Sequence, residues 1–392
     1  MSPFLEWLLV GWSLLAAGWW VIAILLASRA RHQSVRRNGG MVDIALPHPP
    51  TISIFKPIAA LWGDAPSPQS IAALESFVSQ LDERAEMLLG IEDGDAAKWQ
   101  PVIEQWQLGF PRAELKPVVV PRPTRFLSPK VSWFHTLAEH AGGELWMWSD
   151  SDIVAPPGLL DTMRRELADG QAGMVTCPYV VRRIDNGPMM LEALFANMEF
   201  YPGVLFCRRR GPVRFGLGAA MMFPAARFHE RAQWEQLGAR MADDNALGRA
   251  LAPVRISEAT LETLASESNW RDAVQHYLRW QKTVRWCEPA GYAGQIVILP
   301  MLGWLAAILT HPGSVAAWLG LVMMMQIEVL AARVMFWLAG CPMRSWWIVS
   351  WWSLLLRPLA WLASWTPWPV VFRSQNRKWR SLYRSVPLES TR

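Results

Sequence analysis

The segment Trp7–Ala27 runs for 21 residues without a charged side chain. At about 1.5 Å of rise per residue, one helix of that length crosses a hydrocarbon layer of about 30 Å. The two ends of the run differ. Arg29, Arg31, Arg36 and Arg37 follow it directly, and no Lys or Arg precedes it. The excess of basic residues places the C-terminal side in the cytoplasm. A cleaved leader would want a basic start and a shorter apolar stretch, and this segment has neither. Residues 1–30 are therefore expected to be a retained transmembrane anchor.

The C-terminal third is apolar again. Ala290–Thr310 is interrupted only by Gln295, and Val315–Leu338 follows a short loop containing His311, Pro312, Gly313 and Ser314. Trp346–Phe372 is Trp-rich but broken by Arg357-Pro358, Pro367 and Pro369. The tail carries Arg373, Arg377, Lys378, Arg380 and Arg384, which belong in the cytoplasm. Two crossings return the chain there and a third would not, so 346–372 is expected to be re-entrant, interfacial or two half-helices. The divisions are a membrane part over 288–372 and a basic cytoplasmic tail over 373–392. Composition fits lipid: 52 % of residues are hydrophobic and 18 % charged, against about 25 % charged in soluble domains. Many of the 25 Trp lie near the ends of these runs, where amphipathic rings settle in a bilayer.

Glu328 and Arg333 fall inside Val315–Leu338 and are poorly spaced to pair along one helix, so partners on neighbouring segments are expected. Cys177, Cys207, Cys287 and Cys341 show no paired spacing and no His cluster, which excludes a zinc or disulfide framework.

Residues 50–286 alternate short apolar runs with segments of helical spacing. The runs are Thr51–Phe55, Met87–Ile91, Leu115–Val120, Leu145–Trp148 and Met174–Val180; Pro68–Leu81 and Lys130–Glu139 lie between. This pattern predicts an α/β domain with a mostly parallel sheet and helices on both faces. Ligands of such sheets bind beyond the carboxyl ends of the strands, where three acidic clusters fall. Glu92-Asp93-Gly94-Asp95 follows one strand, Asp150-Ser151-Asp152 follows another, and Asp243-Asp244 opens a helix. A DxD at a strand end can hold a divalent cation that bridges a diphosphate, although solvated turn residues look the same. A carboxylate in the third cluster can accept the proton of an attacking hydroxyl. Asp244 is the choice for that role, with Asp243 as an exposed residue favoured near a helix N-terminus. His276, Arg279 and Trp280 lie with Lys282, Arg285 and Trp286 just before the membrane. They suit an interfacial amphipathic helix, a site for phosphate and a sugar or lipid face, or both.

Asp93, Asp150, Asp244 and His276-x-x-Arg279-Trp280, in that order, resemble the D, D, D, (Q/R)xxRW signature of the ceramide glucosyltransferase-like family, glycosyltransferase family 21. Bacterial ceramide and hopanoid lipid glycosyltransferases look similar. Phe55-Lys56-Pro57 resembles the family's LKP, Ser128-Pro129-Lys130-Val131 its NPKV, and Val371-Phe372-Arg373 its closing VxWR. Leu191–Phe195 and Gly216–Ala219 resemble its acceptor-side stretch. Two departures stand out: His276 replaces Gln or Arg, and Ala60–Gln69 is long.

The resemblance implies a GT-A-like fold, a UDP-sugar donor, Mg²⁺ or Mn²⁺, a membrane lipid acceptor and inversion at the anomeric carbon. By the same resemblance Lys56, Asp93, Asp95, Lys130 and Asp150 would serve the nucleotide sugar, and Asp150 and Asp152 the metal. Asp244 would face the acceptor hydroxyl, and His276, Arg279 and Trp280 the acceptor or diphosphate. The expected setting is a bacterial cytoplasmic membrane with the catalytic domain inside. Nothing points to nucleic acid, and the oligomeric state is open. A processive polysaccharide synthase would need several more helices, and a non-catalytic lipid-binding scaffold would not need these aspartates.

Overall fold

The computed structural model describes residues 1–39, 49–58, 66–240, 242–265, 269–341, 346–366, 372–374 and 377–379. Most of the expected basic tail and part of Ala60–Gln69 lie outside the described residues, as do the side chains of Arg36 and Arg37.

Mostly apolar runs form β1 (Ile52–Ile58), β2 (Ala85–Glu92), β3 (Glu114–Val120) and β4 (Leu145–Ser149), all paired in parallel. β1, β2 and β4 are buried on both faces, as the interior of a covered parallel sheet requires, while β3 is an edge strand that exposes Glu114, Pro117 and Val119. β5 (Ile153–Val154) follows. The expected strand over Met174–Val180 is broken at Cys177-Pro178 into β6 (Met174–Thr176) and β7 (Tyr179–Val180), because proline cannot donate to a ladder. β8 (Ala220–Pro224), β9 (Val254–Ile256) and β10 (Leu261–Thr263) follow, and Phe372–Ser374 pairs antiparallel with Arg377–Trp379 near the C-terminus. The main sheet has the order β3-β2-β1-β4-β8-β6-β9, and a small one has the order β5-β10-β7. β8 runs antiparallel to both its neighbours.

Helices Pro68–Val78 and Pro129–Ala138 start where the sequence dictates. Ser67 and Ser128 accept backbone N–H groups at 3.0 and 3.3 Å, and proline opens each first turn.

Among the described residues, two helices are long and apolar enough to cross a membrane, Pro3–Ser34 and Val315–Ala339. Arg31 lies 4.5 Å over the Trp337 ring and donates to the Trp337 carbonyl at 2.5 Å, which ties their basic-side ends together. The expected straight run Ala290–Thr310 is instead two pieces bent by 55°, Pro289–Ile298 and Pro300–Thr310. Pro300 has no N–H and forces Leu299 out of helical geometry, with φ −119° and ψ 42°. Gly303 and Gly320 sit where a Cβ would meet Leu9 and Trp304 at 2.5 Å, so both permit close helix approach.

The Trp-rich stretch forms helix Trp346–Trp351, a π-turn Trp352–Leu356 and helix Arg357–Ser364. The wider turn accommodates Pro358, whose ring would otherwise press on the carbonyl four residues back. One apolar core joins the anchor, Gly187–Leu194, Trp270–Cys287, Val315–Ala339 and this stretch. The helices beside the sheet and the long apolar helices are thus packed into one another.

Glu328 finds its partner on a neighbouring segment. Arg357 Nη1 donates to both Glu328 oxygens at 3.2 Å, and both side chains are buried. The guanidinium also stands 4.9 Å from the Trp352 ring. Removing one partner of a buried pair typically costs roughly 3–5 kcal/mol, while apolar replacement of both is often neutral. Arg357→Leu should therefore lose most folded protein, and the Glu328→Leu/Arg357→Leu pair should recover it, as read by yield and thermal midpoint in detergent. A double variant as poor as the single would contradict a purely structural pair.

Candidate active site

β1 and β4 are adjacent and parallel, so Lys56 near the end of β1 and Asp150 just past β4 reach the same sheet edge. β8 enters from the opposite direction, and Ala220 pairs with Ser149. The turn Gly216–Ala219 is therefore delivered to that edge. It is fastened there by Thr176 Oγ1, which receives the Leu217 N–H at 2.9 Å and donates toward Leu217 and Ala220 carbonyls at 3.1 Å. The Gly216 N–H donates to the Asp244 carbonyl at 3.1 Å, and Ser149 Oγ donates to Ala219 O at 2.7 Å.

Around this turn the expected residues converge. Lys130 Nζ lies 2.6 Å from Asp150 Oδ1. Asp244 takes the Gly218 N–H at 3.0 Å on one oxygen and the Asn245 N–H at 2.7 Å on the other. Lys56 is fully buried, lies 3.5 Å over the Phe77 ring, and donates to Ser149 Oγ at 2.9 Å and Asp150 O at 2.7 Å. Thr263 of β10 donates to Asp152 at 3.4 Å, which ties the DxD to the small sheet.

Burial dominates the electrostatics. Loss of solvent pulls the Lys56 ammonium down to about 7 against the attraction of Asp150 and Asp152. Burial also opposes the charge on Lys130, but Asp150, Asp243 and Asp244 outweigh it and hold its pKa above the usual range. Asp152 is pushed upward by burial and by Asp150. Asp243 and Asp244 are pushed upward by burial, with Lys130 opposing. Four carboxylates thus share two lysines.

Asp243 corrects the sequence reading. It is buried rather than exposed, and its Oδ2 has no hydrogen-bond partner among the described residues. The helix Asp243–Leu251 packs into the sheet at its start, so a capping position became an interior one.

Asp93 and Asp95 stand past β2 on the same edge, one strand outward, and bond within their own turn. Asp93 accepts the Gly94 N–H at 2.7 Å, and Asp95 pairs with Lys98 at 2.8 Å. His276, Arg279 and Trp280 lie on helix Trp270–Cys287, whose Ala273, Tyr277 and Gln281 form its buried face. Trp280 stacks on Phe195 at 4.5 Å, and His276 lies 3.9 Å from Trp280. Tyr179 was missed by sequence reasoning. Asp244, Glu192, Asp152 and Asp150 all bear on its phenol, whose pKa burial already raises. Its only signal was a lone Tyr after Cys177-Pro178.

The mostly parallel sheet with helices on both faces and this acidic edge is a GT-A-like α/β fold. A mannosyltransferase from Pyrobaculum calidifontis, solved with GDP-Man and Mn²⁺, superposes with a TM-score of 0.51 at 18 % identity, over 90 % of this chain and 99 % of that one. S. aureus TarS 1-349 with UDP-GlcNAc aligns more loosely, with a TM-score of 0.36 at 8 % identity over 72 % of this chain and 81 % of that one. No curated protein sequence matches the chain. The chain belongs to glycosyltransferase family 21: the model described as "Glycosyl transferase family 21" matches residues 16–382. It is a glycosyltransferase.

Gly218 is the glycine of this turn that opens onto the charged side chains. A Cβ there would stand 3.0 Å from Lys130 Nζ, 3.4 Å from Asp244 Oδ2 and 3.7 Å from Asp150 Oδ2. Gly218→Ala should cut transfer at least about tenfold, corresponding to about 1.4 kcal/mol in the barrier, while the thermal midpoint shifts little. Wild-type turnover in that variant would show that the space beside Gly218 is not used.

Proposed function

We propose that this glycosyltransferase moves a sugar, with inversion, from a UDP-sugar to a hydroxyl of a membrane lipid at the cytoplasmic face. A ceramide-like acceptor and a hexose donor are the first choices, and a hopanoid is the alternative lipid. The observation that carries the reading is the convergence of Asp150, Lys130 and Asp244 beside Gly218, on a layer whose core continues into the membrane helices.

Asp244 is the proposed base. Its backbone N–H partners fix both oxygens, and its raised pKa improves it as a proton acceptor. It takes the acceptor proton as the hydroxyl oxygen attacks the anomeric carbon, and the bond to the nucleoside diphosphate breaks on the opposite face. Lys130 offers positive charge to the departing phosphates, while the buried Lys56, drawn toward neutrality, serves the donor by holding Ser149 and the Asp150 carbonyl in place. Asp93 and Asp95 face the nucleotide in this reading, and His276, Arg279 and Trp280 the acceptor or diphosphate.

The surplus of carboxylates over lysines fits a divalent cation held by Asp150 and Asp152. Among the described residues no three His, Cys, Asp or Glu side chains form a closed metal site, which suits a cation completed by phosphate oxygens. Such an ion, Mg²⁺ or Mn²⁺, would neutralise the leaving diphosphate. Excess EDTA should abolish transfer and either ion should restore it; undiminished transfer in EDTA would remove the cation from the reading.

The decisive assay incubates purified protein with nucleotide-sugar and lipid panels and identifies products by mass spectrometry. Asp244→Asn should lower kcat by roughly 10²–10⁴-fold with the donor KM nearly unchanged. Asp243→Asn should cost much less, because Lys130 keeps Asp150 as its direct partner. The reverse order would move the base by one residue, and a long polymer product would make the chain a synthase.

A further inference from the structure

A row of rings leads away from the acidic centre toward the membrane side. Tyr179 stacks on Phe200 at 4.3 Å and 28°. Phe200 lies 6.4 Å from Phe195 at 25°, and Phe195 stacks on Trp280 at 4.5 Å and 20°. His276 ends the row, 3.9 Å from Trp280. Tyr179, Phe200, Trp280 and His276 are each only half-buried, so the row has an open side, while Phe195 is buried beneath it.

The row depends on an irregularity of the backbone. Phe195 and Phe200 are the first and last residues of a π-turn. In an α-helix, residues five apart are rotated by about 140°. A π-turn, with its i→i+5 bonding, brings them back toward one face. The inner end of the row is polar. Tyr179 sits on β7, and β10 joins β7 to β5 in the small sheet that also ties down Asp152. Its phenol lies within the field of Asp244, Glu192, Asp152 and Asp150. A partly open aromatic strip whose polar terminus stands on the small sheet that holds Asp152 suits an amphiphile whose reactive hydroxyl adjoins a hydrocarbon segment.

We propose that the ring row Tyr179–Phe200–Phe195–Trp280 is the bed for the acceptor's apolar segment next to its hydroxyl, and that Tyr179 is a positioning residue whose O–H aims that hydroxyl at Asp244. This rests on the lipid-acceptor reading and adds a route and two residues to it. The flat rings take up apolar surface in any rotation about the chain axis. The phenol donates to the acceptor oxygen, leaving its proton directed at the carboxylate.

The test uses the full chain in detergent, with a long-chain lipid acceptor and a short-chain soluble analogue bearing the same hydroxyl. Phe200→Ala should raise the ratio of long-chain KM to short-chain KM by about tenfold, the scale of one lost ring contact. Phe200→Trp should restore it, which separates the row from general damage to the fold. Tyr179→Phe keeps the ring, so it should lower the ratio of transfer to donor hydrolysis by about tenfold, as one lost hydrogen bond implies, while the KM ratio follows wild type. If wild type glycosylates lipid but Phe200→Ala leaves the KM ratio untouched, or Tyr179→Phe leaves the partition untouched, the row is overturned alone. If wild type hydrolyses donor and glycosylates no lipid, the row and the lipid reading fall together.

Discussion

β8 runs against β4, and that single reversal sets the chemistry of the edge. A parallel strand there would send its entering turn to the far side of the sheet. Antiparallel pairing instead places Ala220 opposite Ser149 and brings the Gly216–Ala219 turn beside Asp150. Lys130, from a helix behind the sheet, and Asp244, from a helix beyond the turn, then meet at Gly218 because no side chain stands between them. The resulting group is crowded with charge, and Lys130 and Asp150 within it are partly exposed. Its lysines pull in opposite directions, Lys56 toward neutrality and Lys130 toward a firmer charge, because only Lys130 is in direct contact with a carboxylate.

Most of the strands that bear the edge could be read along the chain, because β1 to β4 are mostly apolar runs between helical segments. β8 and β9 were not. Ala220–Pro224 and Val254–Ile256 are too short for periodicity to separate strand from helix. The chemistry followed the same division. Lys56, Lys130, Asp150, Asp152 and Asp244 sit in local patterns that identify them, and the fold gathers them. Asp243 looked like a helix-start residue because position in a helix is local, whereas its burial depends on groups elsewhere in the chain, such as Gly216, whose N–H donates to the carbonyl of the adjacent Asp244. Tyr179 and Phe200 carried no pattern, since stacking between residues 21 apart depends on a π-turn that no spacing rule predicts.

The boundary between catalytic and membrane parts is equally non-local. Helix Trp270–Cys287 shows its basic and aromatic residues openly in sequence. Its buried side, with Tyr277 donating to Glu199 and Gln281 doing so at 2.6 Å, faces helix Gly187–Leu194 and its π-turn instead of lipid. Trp352 from the last membrane stretch donates to the Tyr277 hydroxyl at 3.1 Å. A change deep in the apolar layer is therefore one hydrogen bond from the helix that carries His276, Arg279 and Trp280.

The π-turn at Trp352–Leu356 holds the one surplus residue of that stretch, and Arg357 follows it directly. Trp352 and Arg357 stand five apart, a spacing that a regular α-helix rotates by about 140°. The wider turn brings the two back toward one side, where the guanidinium lies 4.9 Å from the Trp352 ring. Tyr277 and Glu328, on two different helices, are thus addressed from a single face.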